Sequence, residues 1–278
     1  MISVDVGLVS IGLIGCAGLL PCAFYMILWK KPPCRNRSPA SFASRVMLLP
    51  EKRLAGTLLR RYKRFLADVR LDDGAELTVH CPNSGAMLGC SEPGSRGIIS
   101  CADNPARKYA WTLEMVRGPV CWIGVHTGRT NQVVHEGLER GLIDAFGRIS
   151  SIRREVTLGR HVRLDFLLHT GTGRVYLEVK QCSLAEDGIG LFPDAVTARG
   201  AKHMRELAAL AAGGEQAAVL FCVPRTDVQL CSVARRIDPG YAQAVEQAMA
   251  AGVRFLAWQA EVRPEAVGMA RQIPFHPH

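Results

Sequence analysis

Several patterns that mark common protein classes are absent from this chain. Its ten cysteines form no CxxC pair and no spacing typical of a cysteine–histidine zinc site. We find no internal repeat, no glycine-rich phosphate loop and no Ser/His/Asp order of a hydrolase triad. These absences argue against a disulfide scaffold, a zinc module, a repeat protein and a P-loop enzyme. They predict a globular protein with reduced thiols, which is typical of the cytoplasm.

Positive charge is present but unevenly distributed. The net charge is +9 over 278 residues, and residues 1–46 carry five basic side chains and one acidic one, or +4. The remaining +5 makes the rest of the chain only mildly basic. The overall charge therefore overstates the argument for a nucleic-acid partner. The length suffices for one large or two modest domains.

An apolar run occupies residues 6–29, which contain no charged side chain. It is long enough to span a bilayer, and the basic residues after it would place the rest of the chain in the cytoplasm. Asp5 precedes it, instead of the positive region of a secretory signal. Two interpretations stay open: membrane contact through residues 6–29, or a start at Met47, which we favour. We expect a cytoplasmic protein, membrane-anchored if residues 1–46 are translated.

The most specific chemical pattern lies in residues 163–168 and 175–180, which alternate like strands on either side of a turn. Asp165 points to one side of the first strand, while Glu178 and Lys180 share a face of the second. Two carboxylates and an ammonium group are the minimum for a divalent cation with an activated water. The spacing D-x12-E-x-K is the core of a PD-(D/E)xK nuclease-type site. We predict these three residues as catalytic and Mg or Mn as cofactor; the alternative is a pair of exposed surface charges.

A helix predicted over residues 130–142 precedes this hairpin, with Thr130 as its candidate cap. Nuclease-type domains often take a further acid from such a helix. Glu136 is therefore predicted as a metal ligand beside Asp165 and Glu178. The alternative is an ordinary acid that faces solvent.

A second helix is predicted over residues 197–212, from a start at Thr197 to a glycine pair. Lys202 on this helix is predicted to contact nucleic acid, and an i,i+4 salt bridge is the alternative. Strands follow at residues 217–223 and 254–259. Strands that alternate with helices predict a three-layer α/β domain.

Residues 53–125 are mostly strand-like, and short strands of this kind suit a small β-barrel. The predicted strands lie at residues 53–59, 61–71, 76–81, 108–116 and 120–125. A basic run near the start of this region is interleaved with aromatic residues, which suits phosphate contact and base stacking. The predicted nucleic-acid contacts are Arg60, Arg61, Tyr62, Lys63 and Arg64. The alternative is a solvated face of arginines.

Longer motifs resemble those of a known family. LFPDAVTARGAKHMREL at residues 191–207 is similar to the signature of the sugar fermentation stimulation protein family (SfsA). Further matching segments are RRYKRFLADV at 60–69, HCPNSGAML at 80–88, DNPARKYAWTLEMV at 103–116 and SIRREV at 151–156. The resemblance extends from Met47 to about Pro274.

The resemblance implies an α/β fold with a small β-barrel. An N-terminal OB-fold-like DNA-binding domain at residues 47–126 would precede a C-terminal PD-(D/E)xK nuclease-like α/β domain at 127–278, after an apolar extension at 1–46. DNA is the implied partner, and no small-molecule cofactor is expected. Two functions stay open. One is a DNA-binding protein with a metal-dependent nuclease site, and the other is a non-catalytic DNA-binding regulator of sugar (maltose) metabolism with a vestigial nuclease-like domain.

Overall fold

Short apolar runs separated by turns form strands in the first half of the chain. The fold is taken from a computed structural model, which describes residues 46–102, 104, 106–158 and 162–277. These strands are β1 (Met47–Leu48), β2 (Arg53–Tyr62), β3 (Leu66–Leu71), β4 (Glu76–His80), β5 (Arg96–Cys101), β6 (Trp111–Arg117) and β7 (Trp122–Gly124).

Strands β2 to β6 close into a five-stranded barrel. The sheet order is β4-β3-β2-β5-β6-β7, and a further pairing of β4 with β6, at His80 and Thr112, joins the two ends. Inward-facing residues such as Leu58, Val69 and Leu113 are fully buried in its core. The predicted small β-barrel is therefore confirmed.

Two details of the barrel differ from the sequence prediction. The strand predicted over residues 61–71 is interrupted by a turn in which Lys63 and Arg64 have positive φ angles of 48° and 62°. The reversal allows Leu58 of β2 to pair with Val69 of β3 inside the barrel. Strand β5 was not predicted, because its apolar residues form a continuous run without the alternation of a half-buried strand.

The second half of the chain alternates strands with three helices. The helices are α1 (Thr127–Glu139), α2 (Ala198–Ala212) and α3 (Pro239–Ala250). The strands are β8 (Ile149–Leu158), β9 (Val162–Thr170), β10 (Gly173–Gln181), β11 (Leu184–Glu186), β12 (Ile189–Phe192), β13 (Gln216–Val223), β14 (Leu230–Val233), β15 (Arg254–Arg263), β16 (Ala266–Ile273) and β17 (Phe275–His276).

A seven-stranded sheet of order β1-β16-β15-β13-β10-β9-β8 forms the middle layer of this domain. Strands β10, β13 and β15 are parallel, as expected where helices connect them. Helix α1 packs on one face through Val133, Val134 and Leu138. Helices α2 and α3 pack on the other face, with Leu207 and Tyr241 in a second core. The predicted three-layer α/β domain is confirmed, with a small sheet of order β11-β12-β14-β17 beside it.

Strand β1 lies outside the barrel to which the sequence assigned it. Met47 and Leu48 pair with Val267 and Ala266 of β16, so this segment extends the sheet of the α/β domain. The pairing joins residues far apart in the sequence, which no local pattern could indicate.

Helix α1 begins three residues before the predicted start. His126 Nδ1, in place of Thr130, accepts a hydrogen bond from the Arg129 N–H at 3.3 Å and caps the helix. Burial lowers the pKa of His126 to about 4, so the ring is neutral at pH 7 and its Nδ1 is able to accept this hydrogen bond.

Within the described residues, no helix is long and apolar enough to cross a membrane. The predicted membrane contact at residues 6–29 lies outside them. The cysteines of the described ranges are free thiols, as the sequence predicts.

Candidate functional site

The β9–β10 hairpin fixes the position of Asp165. The backbone pairing of β9 with β10 ends at Phe166 and Leu177. Beyond that pair, the Asp165 side chain makes the contact between the two strands. Its Oδ2 accepts a hydrogen bond from the Val179 N–H at 2.8 Å. Its Oδ1 accepts one from Asn131 Nδ2, on the second turn of α1, at 2.7 Å. Strand and helix therefore hold this carboxylate from two sides.

Glu178 is almost completely buried, with 3% of its surface exposed. Its Oε1 accepts hydrogen bonds from Lys180 Nζ at 2.5 Å and from His203 Nδ1 of α2 at 2.6 Å. Its Oε2 is buried and has no hydrogen-bond partner among the described residues. A buried polar atom without a partner costs about 1–3 kcal/mol, so this oxygen marks a place for a ligand.

The two carboxylates have opposite pKa shifts. Burial raises the pKa of Asp165 above its ordinary value, and the nearby charge of Glu178 raises it further. Burial alone would raise the pKa of Glu178 as well. The hydrogen bond from His203 and the charge of Lys180 outweigh burial and lower it. Two acids shifted apart in this way are typical of functional sites.

Both carboxylates line a cavity of about 490 Å³, called here the carboxylate cavity. The α/β domain contributes one wall, and the barrel domain contributes the other. Its principal lining residues are Asp165, Glu178, Val179, Lys180, Thr127, Thr130, Asn131, Asp194, Val196, Arg199, Arg64, Asn83, Ser84 and Gly85.

Hydrogen bonds hold the barrel wall of this cavity in place. Arg61 Nη2 donates to the backbone oxygens of Asn83 and Gly85, both at 2.8 Å. From the other domain, Asp194 Oδ2 accepts the Met87 N–H at 2.7 Å. A Cβ atom on Gly85 would lie 2.4 Å from Asp194 Oδ1, so a larger residue here would have to displace the Asp194 side chain.

A second cavity of about 520 Å³, called here the basic cavity, shares Arg163 and Arg199 with the first. Its lining residues are Thr157, Val162, Arg163, Ala198, Arg199, Lys202 and His203. Lys202, which the sequence predicts to contact nucleic acid, therefore lines the basic cavity. This cavity adjoins the carboxylate cavity.

Of the predicted barrel contacts, Arg64 reaches the carboxylate cavity. It lies in the exposed β2–β3 turn beside Lys63, and its Nη2 donates to the Ser84 oxygen at 3.0 Å. Arg61 instead holds the loop described above. Lys63 is exposed at the same turn.

The remaining two predicted contacts face a different part of the barrel. Arg60 Nε donates to Asp68 Oδ2 at 2.7 Å, and the Tyr62 hydroxyl donates to Asp68 Oδ1 at 3.1 Å. The Arg60 guanidinium lies over the Tyr62 ring, 4.8 Å from its centre. These contacts stabilise the barrel surface and do not extend into either cavity.

The structure does not bring Glu136 to the carboxylates, contrary to the sequence prediction. It lies two residues from both Val134 and Leu138, which face the core, and therefore on the opposite side of α1. Its carboxylate lies 3.7 Å from Arg140 Nη2. The α1 side chain that hydrogen-bonds to a carboxylate of the site is Asn131.

Sequence reasoning missed two residues that hold the carboxylates, Asn131 and His203. His203 lies in the motif ARGAKHMREL, one helical turn after Arg199. Its position in that motif was the only feature of the sequence that pointed to His203. The contact with Glu178 forms only when α2 packs on the sheet. Within the described residues, no group of three His, Cys, Asp or Glu side chains is placed to hold a metal ion.

Two family models match the chain. The model described as "SfsA N-terminal OB domain" matches residues 59–125, which form the barrel. The model described as "Sugar fermentation stimulation protein RE domain" matches residues 128–266, which include both carboxylates.

Curated relatives and a solved structure agree with these matches. A sugar fermentation stimulation protein homolog of Geobacter sulfurreducens is 46% identical over 82% of this chain and 98% of its own length. The homolog of Thioalkalivibrio sulfidiphilus is 48% identical over 77% of this chain and 92% of its own. The structure of Pyrococcus furiosus SfsA in complex with Ca2+ has the same fold, with a TM-score of 0.77 and 22% identity, and covers 84% of this chain and 99% of that one. The chain therefore belongs to the sugar fermentation stimulation protein family.

Proposed function

We propose that this chain is a divalent-cation-dependent phosphodiesterase that cleaves nucleic acid. The observation that carries the proposal is Glu178 Oε2, a buried carboxylate oxygen without a partner, beside Asp165 and Lys180 in one cavity. A buried carboxylate, a second carboxylate and the ammonium group of Lys180 match the needs of phosphoryl transfer.

The donor set suits a hard cation such as Mg²⁺ or Mn²⁺. Carboxylate oxygens of Asp165 and Glu178 and the backbone oxygen of Val179 are ligands that such ions prefer. Mg²⁺ commonly takes only one or two carboxylates and keeps several waters, so two acids suffice. The Pyrococcus furiosus relative is described in complex with Ca²⁺, which also takes oxygen ligands.

When bound, the cation would polarise a phosphate oxygen and activate a water molecule. Lys180, whose side chain is 14% exposed, places a positive charge beside the site of reaction. That charge stabilises the negative charge that develops on the phosphate. Asn131 and His203 hold the two carboxylates in position, so no reorganisation is needed when substrate arrives.

The barrel would supply affinity for the nucleic acid. Arg64 and Lys63 project from the β2–β3 turn, with the exposed Phe65 next to them. Basic groups bind phosphates without regard to sequence, and exposed aromatic rings stack on bases.

A second candidate is a DNA-binding regulator of sugar metabolism with a vestigial site. It is favoured by the absence, among described residues, of three side chains arranged as metal ligands. The hydrogen bond from Lys180 to Glu178 would then be a structural ion pair. The names of the curated relatives are the link to sugar metabolism.

The test is cleavage of labelled DNA by the full chain with Mn²⁺ or with EDTA. Glu178→Gln removes the charge of the unpartnered oxygen with little change in shape, and Glu136→Gln is the matched control on the far side of α1. We expect Mn²⁺-dependent cleavage that falls at least about 100-fold in Glu178→Gln, as for loss of one major electrostatic group. Glu136→Gln should retain wild-type activity.

The outcomes separate the two candidates. DNA binding without cleavage in any protein would support the regulator. Cleavage that survives in Glu178→Gln would show that the carboxylate cavity is not the active site.

A further inference from the structure

We infer that the carboxylate cavity takes single-stranded nucleic acid, and that a duplex does not reach its carboxylates. The strand runs from the basic cavity, past Asp165 and Glu178, to Arg64 on the β2–β3 turn. This inference rests on the proposed function and names the substrate class of that same site.

The barrel places a wall of the cavity opposite the carboxylates. The loop at residues 83–87 is tied to the α/β domain by the Asp194–Met87 hydrogen bond. Thr127 adds a hydrogen bond from its hydroxyl to the Pro82 oxygen at 2.7 Å. Asn83 Nδ2 donates to the Val125 oxygen at 3.1 Å. A substrate phosphate must therefore enter between two fixed walls.

The volume of the carboxylate cavity suits one nucleotide unit better than a duplex. A cavity of about 490 Å³ is of the size that holds one drug-sized ligand. One nucleotide unit is of that size, whereas a duplex carries two strands and is stiff over about 150 base pairs. Because Glu178 is 3% exposed, a stiff duplex reaches its carboxylate less readily than a flexible strand does.

Basic side chains line both cavities, although the Arg163 guanidinium is ion-paired with Glu155 Oε2 at 2.9 Å. The two cavities share Arg163 and Arg199, and Lys202 lines the second. At the other end Arg64 lines the first cavity. Within the described residues only its Nη2 donates, to Ser84, so most of its five donors remain for a phosphate. The basic groups thus lie on both sides of the carboxylates, as a strand backbone requires.

Two exposed apolar side chains lie in the carboxylate cavity or next to one of its basic residues. Val196 lines the carboxylate cavity with 76% of its surface exposed, and Phe65, next to Arg64, is 45% exposed. An exposed aromatic ring such as Phe65 can stack on an unpaired base, and the exposed Val196 adds apolar surface at the cavity. In a duplex the base faces are already stacked and do not reach this surface.

The test compares three labelled DNAs of one sequence with the full chain and Mn²⁺: a single strand, a blunt duplex, and a duplex with a single-stranded arm. We expect the blunt duplex to be cut about 100-fold more slowly than the single strand, because it must first open. Cuts in the third substrate should lie within the arm. Equal rates on strand and duplex overturn the inference but leave the proposed function intact.

Binding in EDTA gives an independent readout. Lys202→Ala and Arg64→Ala should each reduce the slope of log affinity against log salt by about 0.7 for the single strand. Arg205→Ala, an exposed cation of the same helix as Lys202 that lines neither cavity, should leave the slope unchanged. If nothing is cut, the proposed function fails. The inference is then overturned as well if the salt slope changes equally for the single strand and the duplex. It is also overturned if neither Lys202→Ala nor Arg64→Ala changes the slope.

Discussion

At the scale of single residues, His203 determines how Glu178 presents its oxygens. The ring is 5% exposed on α2, and its Nδ1 lies 2.6 Å from Glu178 Oε1. That hydrogen bond occupies one carboxylate oxygen and leaves the other for a ligand. Loss of a group that orients a metal ligand in this way typically lowers metal affinity or activity by about 10–100-fold.

We therefore expect His203→Leu to weaken Mn²⁺-dependent cleavage by about 10–100-fold, because Glu178 loses a donor and its orientation. His203→Asn keeps an amide N–H near the position of Nδ1 and should recover much of the loss. The measurement is cleavage rate against Mn²⁺ concentration. His203→Leu should need more Mn²⁺ than the wild type for half-maximal rate. His203→Asn should need less Mn²⁺ than His203→Leu. Equal effects of both substitutions would show that His203 acts only through packing.

The sequence predicted the residues of the hairpin but not the residues that support them. Asp165, Glu178 and Lys180 lie together because strand alternation and a short turn define their positions locally. Asn131 and His203 reach them across tertiary contacts, which no spacing reveals. Glu136 does not line the carboxylate cavity, because a helical stripe gives the period of a helix but not which face turns to a distant hairpin.

At the scale of elements, the loop at residues 83–87 joins the barrel to the cavity. Arg61 holds its backbone oxygens from the barrel, and Asp194 holds the Met87 N–H from the α/β domain. Gly85 makes this arrangement possible because a Cβ there would lie 2.4 Å from Asp194 Oδ1.

Gly85→Ala should displace Asp194 and break its hydrogen bond with Met87. We expect the free energy of unfolding in urea to fall by about 2 kcal/mol, the value of a hydrogen bond to a charged group. Gly171→Ala is the control, since nothing lies within 4 Å of a Cβ at that turn. It should change stability by no more than about 0.5 kcal/mol. Similar losses in both variants would contradict the close approach of Gly85 and Asp194.

The elements that the sequence predicted well are long or strongly periodic. Helix α2 and the β9–β10 hairpin lie within a few residues of their predictions. Short strands such as β11, β14 and β17 were missed, because two to four residues carry no clear period. The β1–β16 pairing was missed because it depends on the fold of the whole domain.

At the scale of the whole molecule, the two domains meet at one cavity. The family resemblance implied a barrel and a nuclease-like domain, and the fold agrees with both. What the sequence could not show is that loops of the barrel form a wall of the cavity that holds the carboxylates. Under the proposed function, this arrangement would couple binding of nucleic acid by the barrel to the reaction at Asp165 and Glu178.

Calorimetric titration of Mn²⁺ into the full chain tests the central claim most directly, because the proposed chemistry depends on a cation at Asp165 and Glu178. We predict one ion per chain for the wild type, and no binding for Glu178→Gln, whose circular dichroism should match that of the wild type. Absence of binding to the wild type, or unchanged binding in Glu178→Gln, would contradict the assignment of this cavity as a metal-dependent site.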